Sequence, residues 1–439
     1  MTAFRKIAFV GLDGVPYSLL QKFFQLELMP GLSEVASKGT FVPINSSLPP
    51  ISSVAWTSFM TGANPGHHGI FGFTDVANDE IRLVLPSFDD VKAPVMWNQY
   101  PEKRSIIINL PFTYPARPLN GILIAGFVAP IFERAVFPNT LVPWLKSRGY
   151  KIDTDNVRAR QNRTLLIEDL FFTLQKLEEV VFKFIDEPWD IFTFVITGTD
   201  RLHHFLFDAL NDESHPYHGD TISYYRRVDD FLNRFFQHLS TQTRRVILSD
   251  HGFTDLKINV NLNNMLKSLG YLTFKSETPR DISDINPKSL AFAMDPTRIY
   301  INSRSRFRDG ALTESQASEV VARLKNELRS FRVSDLGPLP LNLQADSGDA
   351  LFTEVKSRDE IYSGPQSEFA PDLVVIPKPG YDVKASVNAR SIIHEDIFTG
   401  SHTYDDAFLI VGDREIAPDL INAQVAHVID LIPWKRRAF

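Results

Sequence analysis

PPISSVAWTSFMTGANPGHHGI, residues 49–70, is the stretch that decides the fold, and it predicts a loop that delivers a hydroxyl group to a short helix. Pro49-Pro50 keeps the chain extended, because proline and the residue before it disfavour helical backbone. Ser52-Ser53 then supplies residue types that cap helix N-termini, and Gly62 ends the helix. A hydroxyl held there lies beside unpaired N–H groups and the positive end of the helix dipole, so an anion can bind next to it.

Two interpretations of Ser52 follow from this stretch. In the first, Ser52 only caps the helix, which is the commonest role of serine at such a position. In the second, its hydroxyl is a nucleophile that faces a bound anion. The stretch alone favours the first interpretation, and the choice depends on which residues elsewhere in the chain accompany Ser52.

The composition excludes several classes of partner and site. The chain has 439 residues, a hydrophobic content of 44%, a net charge of −7 and no cysteine. Its acidic balance argues against a nucleic acid polymer as partner, although a short basic run, Lys435-Arg436-Arg437, lies near the end. Without cysteine, disulfides and thiolate metal sites are excluded.

The distribution of apolar residues predicts a cytoplasmic protein. A strand-like run begins at Ile7, which leaves no room for a signal peptide before it. No uninterrupted apolar run approaches the roughly 18 residues that span a bilayer, so membrane insertion is not expected.

Strand-like and helix-like segments alternate along the chain and predict an α/β fold with a mainly parallel sheet covered on both faces. The predicted strands are Lys6–Leu12, Phe41–Asn45, Arg104–Asn109, Ile122–Val128, Trp189–Val195, Arg245–Leu248, Thr297–Ile301, Pro371–Ile376 and Ala407–Val411. The predicted helices are Tyr17–Lys38 in two pieces, Thr164–Asp186, Thr221–Leu239, Asn259–Gly270 and Thr313–Phe331.

The alternation changes after Gly252 and predicts an inserted region. We assign residues 1–255 and 346–439 to the catalytic core and residues 256–345 to an inserted cap that sets substrate specificity. Pro371–Ile376 and Ala407–Val411 are assigned to the core because they are short apolar runs typical of buried strands.

Three predicted strands end in a carboxylate: Asp13, Asp200 and Asp250. Because ligands collect at the carboxyl ends of strands in open parallel sheets, these side chains are expected to converge on one edge. A single aspartate of this kind usually caps a turn or helix. Three of them, two with a histidine nearby, are less easily explained in that way.

Histidines complete the candidate set. His204 follows Asp200 by four residues and shares its face on a helix, His251 is adjacent to Asp250, and His402 lies in a glycine-bounded loop. Each histidine taken singly is more often structural. Together with the three carboxylates they form a mixed oxygen and nitrogen set, which suits zinc or manganese better than calcium.

The size of this set indicates the chemistry. Six ligands are too many for one tetrahedral catalytic ion and about right for two, and paired ions suit phosphoryl transfer. Ser52 would then be the nucleophile, since a serine hydroxyl is weak until a base or a metal activates it. The expected substrate is a small-molecule phosphate ester.

The ordered motifs GLDG, PPISSVAWTSFMTGANPGHHGI, TDRLHH, SDHG and GSH resemble those of the alkaline phosphatase superfamily. They are most similar to the type I phosphodiesterase and nucleotide pyrophosphatase branch, with its related predicted phosphohydrolases and phosphomutases. The resemblance covers Lys6 to about Gly252 and Pro371 to Val411. It implies a three-layer core with a mainly parallel central sheet and an inserted cap.

The resemblance also implies a role for each candidate residue. One of two divalent ions, zinc or alternatively manganese, is implied at Asp13, Asp250, His251 and Ser52, and the other at Asp200, His204 and His402. The position of Ser52 relative to Thr61-Gly62 matches that of the family's nucleophile better than Ser53 or Thr57 does. The implied reaction passes through a covalent phospho-serine, which water attacks at the second ion.

The chain departs from the family pattern at one position and lacks the sequence pattern of sulfatases. Many nucleotide pyrophosphatases carry an asparagine after HGI that contacts a phosphoryl oxygen, whereas this chain has Phe71-Gly72-Phe73, with Asn109 as a candidate substitute. Sulfatases need a cysteine or serine followed by proline and arginine, a pattern that Ser52 does not begin. A phosphomutase or phosphomonoesterase stays open as an alternative, as does a non-catalytic metal-binding or regulatory protein.

Overall fold

The structure is a computed structural model that describes residues 5–412 and 423–434. The chain forms two compact units. The first comprises residues 1–63, 87–253 and 398–439, and the second comprises residues 64–86 and 254–397. Among the described residues, no helix combines the length and the apolar character that crossing a membrane requires.

Strands and helices alternate in the first unit and are mixed in the second. The strands are β1 (Lys6–Leu12), β2 (Thr40–Ile44), β3 (Asp75–Val76), β4 (Leu83–Val84), β5 (Ser105–Leu110), β6 (Gly121–Ala125), β7 (Val136–Phe137), β8 (Ile191–Ile196), β9 (Thr243–Leu248), β10 (Gly252–Asp255), β11 (Ile258–Asn261), β12 (Ala291–Met294), β13 (Arg298–Ile301), β14 (Phe352–Ser357), β15 (Leu373–Pro377), β16 (Tyr381–Lys384), β17 (Ile393–His394), β18 (Gly400–Thr403) and β19 (Ala407–Val411). The α-helices are α1 (Tyr17–Gln25), α2 (Pro30–Lys38), α3 (Ser52–Thr61), α4 (Pro65–His68), α5 (Met96–Gln99), α6 (Val142–Ser147), α7 (Asn156–Gln161), α8 (Arg163–Phe184), α9 (Gly198–Asn211), α10 (His218–His238), α11 (Leu262–Ser268), α12 (Glu314–Ser330) and α13 (Arg358–Ile361).

A sheet of eight strands in the order β2-β19-β9-β1-β8-β5-β6-β7 forms the centre of the first unit. β1 lies between β8 and β9 and is parallel to both, and β5 is parallel to β8 and β6. Two strands run the other way: β19, which lies between β2 and β9 and is antiparallel to both, and the edge strand β7, which is antiparallel to β6. The predicted mainly parallel sheet is confirmed.

Both faces of this sheet are covered by helices, because successive side chains of a strand point to opposite faces. Ala8 and Val10 of β1 pack with buried side chains of α1, α2, α8, α9 and α10. Phe9, between them, meets Phe59 of α3 on the opposite face, with ring centroids 5.2 Å apart. The predicted three-layer α/β core is therefore confirmed.

The second unit contains its own core. Its four-stranded sheet has the order β12-β13-β15-β14, with every neighbouring pair antiparallel. Val320, Leu324 and Leu328, which recur along α12 at helical spacing, belong to the same buried cluster as the side chains of this sheet. A separate sheet has the order β16-β11-β17.

The extent of the second unit differs from the predicted insertion at 256–345, since the unit also includes residues 64–86 and 346–397. Apolar character places Pro371–Ile376 in the catalytic core, whereas in the structure β15, which contains most of this run, pairs with β13 and β14 in the second unit. Apolar character predicts that a strand is buried, but it does not identify the strand's hydrogen-bonding partners.

The predicted helix Asn259–Gly270 is shorter than expected. Residues 258–261 form β11, and helix α11 begins only at Leu262. Asn261 caps it, accepting a hydrogen bond from the backbone N–H of Asn264. Asparagine is a strong N-cap residue, which explains why the helix starts there. The basic run at 435–437 lies outside the described residues.

Gly11 allows Trp56 of α3 to lie directly against β1. A Cβ atom at Gly11 would come within 2.4 Å of the Trp56 ring and 2.9 Å of Val195. We expect Gly11→Ala to lower the free energy of unfolding by about 1–3 kcal/mol, because neither buried neighbour has room to move. Urea denaturation measures the change.

Gly219→Ala is the matched control, because a Cβ there meets nothing within 4 Å. Gly219 lies in α10, so this substitution is expected to be neutral or to stabilise the protein by up to about 1 kcal/mol. Equal stability of the two variants would contradict the close packing of Trp56 on β1.

Candidate metal centre and nucleophile

Ser52 is the first residue of α3, and Ile51 is the N-cap, with an extended backbone (φ −140°, ψ 140°) and no side-chain capping bond. The capping interpretation of Ser52 is therefore wrong. Its hydroxyl lies instead 3.3 Å from Asp13 Oδ1 and 3.3 Å from His251 Nε2. Gly62 ends the helix in the left-handed region, as predicted.

Asp13, Asp250 and His251 surround this hydroxyl and are completely buried. His251 Nε2 lies 3.3 Å from Asp250 Oδ2 and 3.8 Å from Asp13 Oδ1. We call these three residues and Ser52 the serine group. Their side chains present carboxylate oxygens, an imidazole nitrogen and a hydroxyl to one small volume.

Asp200, His204 and His402 form a second cluster, which we call the histidine group. Asp200 Oδ1 lies 3.5 Å from His204 Nε2 and 3.3 Å from His402 Nε2, and the two histidine nitrogens are 3.1 Å apart. The two groups are neighbours, because the rings of His251 and His402 stack with centroids 3.8 Å apart. The structure thus brings all seven predicted residues together, in the first unit.

The parallel sheet explains this convergence. Asp13 follows β1, Asp200 lies in the first turn of α9 after β8, and Asp250 and His251 follow β9. These three strands are adjacent in the order β9-β1-β8, so their carboxyl ends share one edge. His204 lies one helical turn after Asp200.

Each carboxylate is held through one oxygen and directs the other into the centre. Asp13 Oδ2 accepts from the indole N–H of Trp56 at 3.2 Å. Asp250 Oδ1 accepts from the backbone N–H of Gly14 at 3.1 Å, and Asp200 Oδ2 accepts from Arg201 Nη1 at 2.7 Å. This is the arrangement expected for metal ligands, whose orientation is set by a second hydrogen bond.

Two of the histidines are oriented in the same manner. Nδ1 of His251 lies 3.2 Å from the carbonyl oxygen of Gly252, and Nδ1 of His402 lies 2.9 Å from that of Pro50. Because a carbonyl oxygen only accepts hydrogen bonds, each Nδ1 carries the proton. The Nε2 lone pairs are then directed into the centre.

The electrostatics of the centre favour a bound cation. Burial, and then the neighbouring charges of Asp250 and Asp200, raise the pKa of Asp13 well above its ordinary value. Burial raises the pKa of Asp250 to about 7. Burial also acts to raise the pKa of Asp200, but His204, His402 and Arg201 hold it well below its usual range. Burial lowers the pKa of His251 well below its usual value.

The ligand atoms also fit divalent metal ions. Asp250 Oδ2 is buried and accepts no hydrogen bond from any described residue, yet it faces the His251 Nε2 lone pair at 3.3 Å. A tetrahedral ion with bonds of about 2.0–2.1 Å separates neighbouring ligand atoms by about 3.3 Å. The atoms of the histidine group are 3.1, 3.3 and 3.5 Å apart.

Sequence reasoning missed the supporting residues. Trp56 follows Ser52 by four residues on one helix, so its place on the same face was a spacing signal, whereas Arg201 directly follows Asp200, and adjacent positions give no such signal. Arg201 is itself held by Asp153, with Nη2 2.7 Å from Asp153 Oδ2, and its guanidinium lies over the Phe127 ring. No spacing in the sequence connects Asp153 or Phe127 with Arg201.

Asn109 does not provide the amide that the family places after HGI. Its Oδ1 accepts from the Tyr150 hydroxyl at 2.8 Å, and its Nδ2 donates to the carbonyl oxygen of Ile152 at 3.0 Å. Because both ends of the amide are engaged, Asn109 is a structural residue. Its backbone has a positive φ of 61°, which asparagine tolerates better than most residues.

Solved structures of three other proteins share the fold of this chain. Phosphonoacetate hydrolase from Sinorhizobium meliloti 1021, in complex with phosphonoformate, is 16% identical with a TM-score of 0.63, over 98% of this chain and 96% of that chain. Murine ectonucleotide pyrophosphatase/phosphodiesterase 5, as an inactive variant with AMP, is 13% identical with a TM-score of 0.54, over 98% and 94%. Wild-type alkaline phosphatase PafA is 13% identical with a TM-score of 0.53, over 97% and 93%.

Sequence comparison gives the family. No curated protein matches the chain. The family model described as type I phosphodiesterase/nucleotide pyrophosphatase matches residues 7–405, a range that contains every member of the serine and histidine groups. Within the alkaline phosphatase superfamily fold, the chain belongs to the type I phosphodiesterase/nucleotide pyrophosphatase family and is a metal-dependent phosphoric ester hydrolase.

Proposed function

We propose that this protein is a two-metal phosphodiesterase in which Ser52 is the nucleophile and forms a covalent phospho-serine. The observation that carries the proposal is the position of Ser52 Oγ, 3.3 Å from both Asp13 Oδ1 and His251 Nε2 at the start of α3. A helix N-terminus favours an anion, and the serine there is directed toward the ligand atoms.

The serine group and the histidine group would each hold one ion, with zinc preferred and manganese as the alternative. Mixed imidazole and carboxylate ligands without thiolates suit both metals, and separations of 3.1–3.5 Å in the histidine group favour the tetrahedral geometry common for zinc. When bound, such ions polarise the phosphoryl group and lower the pKa of a hydroxyl or water.

The residues of the chain then act in two half-reactions. In the first, the Ser52 hydroxyl loses its proton to solvent, a bond forms between Oγ and phosphorus, the bond from phosphorus to the leaving oxygen breaks, and the leaving oxygen takes up a proton from solvent. In the second, a water oxygen bonds to phosphorus and releases a proton, the bond to Ser52 breaks, and Oγ takes up a proton. Before the Ser52 hydroxyl loses its proton, Asp13 Oδ1 orients Oγ by accepting its hydrogen bond at 3.3 Å, and His251 Nε2 lies at the same distance from Oγ.

We favour a diester over a monoester as substrate because the guanidinium of Arg201 is already bound by two carboxylates. A monoester carries a second negative charge, which phosphatases commonly offset with a cationic side chain. Arg201 contacts the centre, but its guanidinium is engaged by Asp200 on one side and by Asp153 on the other. A diester has a single charge and does not need that donor.

We expect Ser52→Ala to lower the turnover of a phosphodiester by about a thousandfold or more, because the substitution removes the attacking atom. Zinc content, measured by mass spectrometry of the metal, should stay unchanged. Ser53→Ala is the matched control, since the Ser53 hydroxyl is buried without a hydrogen bond to any described residue. Full activity of the Ser52 variant would refute the assignment of the nucleophile.

Metal content provides an independent test. Protein prepared with zinc is expected to hold about two ions, and His402→Ala about one, because the histidine group keeps only two of its three ligands. His238→Ala, at the exposed C-terminal end of α10, should retain both ions. Undiminished zinc content in the His402 variant would contradict the assignment of the histidine group.

Assays with a panel of substrates test whether the protein prefers a phosphodiester or a phosphomonoester. We expect bis(p-nitrophenyl) phosphate to be hydrolysed with a higher kcat/KM than p-nitrophenyl phosphate, with a nucleotide diphosphate ester and phosphonoacetate assayed beside them. Phosphonoacetate is included because a protein of the same fold is a phosphonoacetate hydrolase. A preference for the monoester would replace the diesterase proposal with a phosphatase.

A further inference from the structure

We propose that Tyr225 and His203 form a relay of hydrogen bonds that positions the serine group through the backbone of Gly14. Both are positioning residues, and neither belongs to the serine or histidine group. The inference rests on the metal centre of the proposed function and adds two residues that determine how well the centre is organised.

Three hydrogen bonds make up the relay. The Tyr225 hydroxyl lies 2.6 Å from His203 Nε2, and His203 Nδ1 lies 2.9 Å from the carbonyl oxygen of Gly14. The backbone N–H of Gly14 donates to Asp250 Oδ1 at 3.1 Å. Tyr225, His203 and Asp250 are completely buried, so solvent does not compete for these bonds.

The direction of each bond follows from the chemistry of the groups. The Gly14 carbonyl oxygen can only accept, so His203 Nδ1 carries the proton and donates. Nε2 of the neutral ring then accepts from the Tyr225 hydroxyl. Every donor in the relay meets an acceptor, and the last acceptor, Asp250, keeps its Oδ2 for the centre.

Gly14 is the point at which small displacements affect several ligand atoms. It directly follows Asp13, whose carbonyl oxygen accepts from Thr199 Oγ1 at 2.7 Å. Its backbone has a positive φ of 65°, and a Cβ atom there would lie 2.8 Å from Phe253 and 3.2 Å from Asp200 Oδ1. Gly14 thus follows Asp13 in the chain, donates a hydrogen bond to Asp250 and leaves no room for a side chain beside Asp200, and the relay holds its carbonyl group in place.

The adjacent histidines of α9, His203 and His204, have different roles. His204 presents Nε2 to the histidine group, whereas His203, one residue earlier, directs its ring to Gly14. Consecutive residues on a helix are rotated by about 100°, so the two rings leave the helix in different directions. Phe253 packs against both, with ring centroids 5.0 and 4.9 Å away.

The chain offers a matched pair of tyrosines for the test. Tyr224 and Tyr225 are adjacent on α10 and both are buried. The Tyr224 hydroxyl has no hydrogen bond to any described residue, whereas the Tyr225 hydroxyl donates to His203. Substitution by phenylalanine removes one oxygen from the same kind of buried site in each case.

The experiment measures zinc affinity by competition with a chelator in full-length Tyr225→Phe and Tyr224→Phe proteins. We expect the Tyr225 variant to bind one of its two ions about 10-fold or more weakly, the lower end of the effect of outer-shell partners of metal ligands. The Tyr224 variant should match the wild type. The absorption bands of cobalt-loaded protein should change only in the Tyr225 variant.

Rescue at His203 separates positioning from packing. The amide nitrogen of His203→Asn can replace Nδ1 as donor to Gly14, so this variant should retain more zinc affinity than His203→Leu. Equal zinc affinities for the two tyrosine variants, or for the two His203 variants, would overturn the relay. Failure of the proposed function is distinguishable, since it would appear as absent zinc binding or absent diester hydrolysis in the wild type.

Discussion

Three buried carboxylates of like charge, Asp13, Asp200 and Asp250, are the constraint on which the rest of the centre depends. All three are at most 1% exposed, and they follow three adjacent strands of one sheet. Without cations, such an arrangement is unfavourable, because burial removes the water that would screen the charges. This repulsion is reduced by the surrounding imidazoles, by the hydrogen-bond donors that anchor the carboxylates, and by the divalent ions that the family implies.

The serine group and the histidine group differ in how much of this charge they carry. The serine group has two carboxylates, whose second oxygens accept from the neutral donors Trp56 and Gly14. The histidine group has one carboxylate, and the cation Arg201 already offsets part of its charge. Asp153 in turn balances Arg201. The serine group therefore offers a stronger negative field to a divalent ion, and the histidine group a weaker one.

In several adjacent pairs of residues, one side chain faces the centre and the other residue anchors a side chain of the site. Asp13 faces the centre while Gly14 holds Asp250, and Asp200 faces the centre while Arg201 anchors it. His204 and His203 show the same division within α9. The physical cause is the rotation of side chains along the backbone, which directs consecutive residues to different surroundings. A short motif can therefore contain both a candidate metal ligand and a residue that holds the site in place.

The sequence by itself determined the parallel sheet, the seven candidate ligand and nucleophile positions and the family, because strand ends, helix spacing and ordered motifs are local patterns. The tertiary structure alone decided three other features. Ser52 begins α3, and its hydroxyl lies beside Asp13. The strand β15, formed by most of the apolar run Pro371–Ile376, pairs within the second unit. Asn109 accepts a hydrogen bond from Tyr150. Each depends on which groups from other parts of the chain approach the residue, and the hydrogen bonds of Ser52 and Asn109 join positions 39 and 41 residues apart. Local sequence patterns carry no information about such encounters.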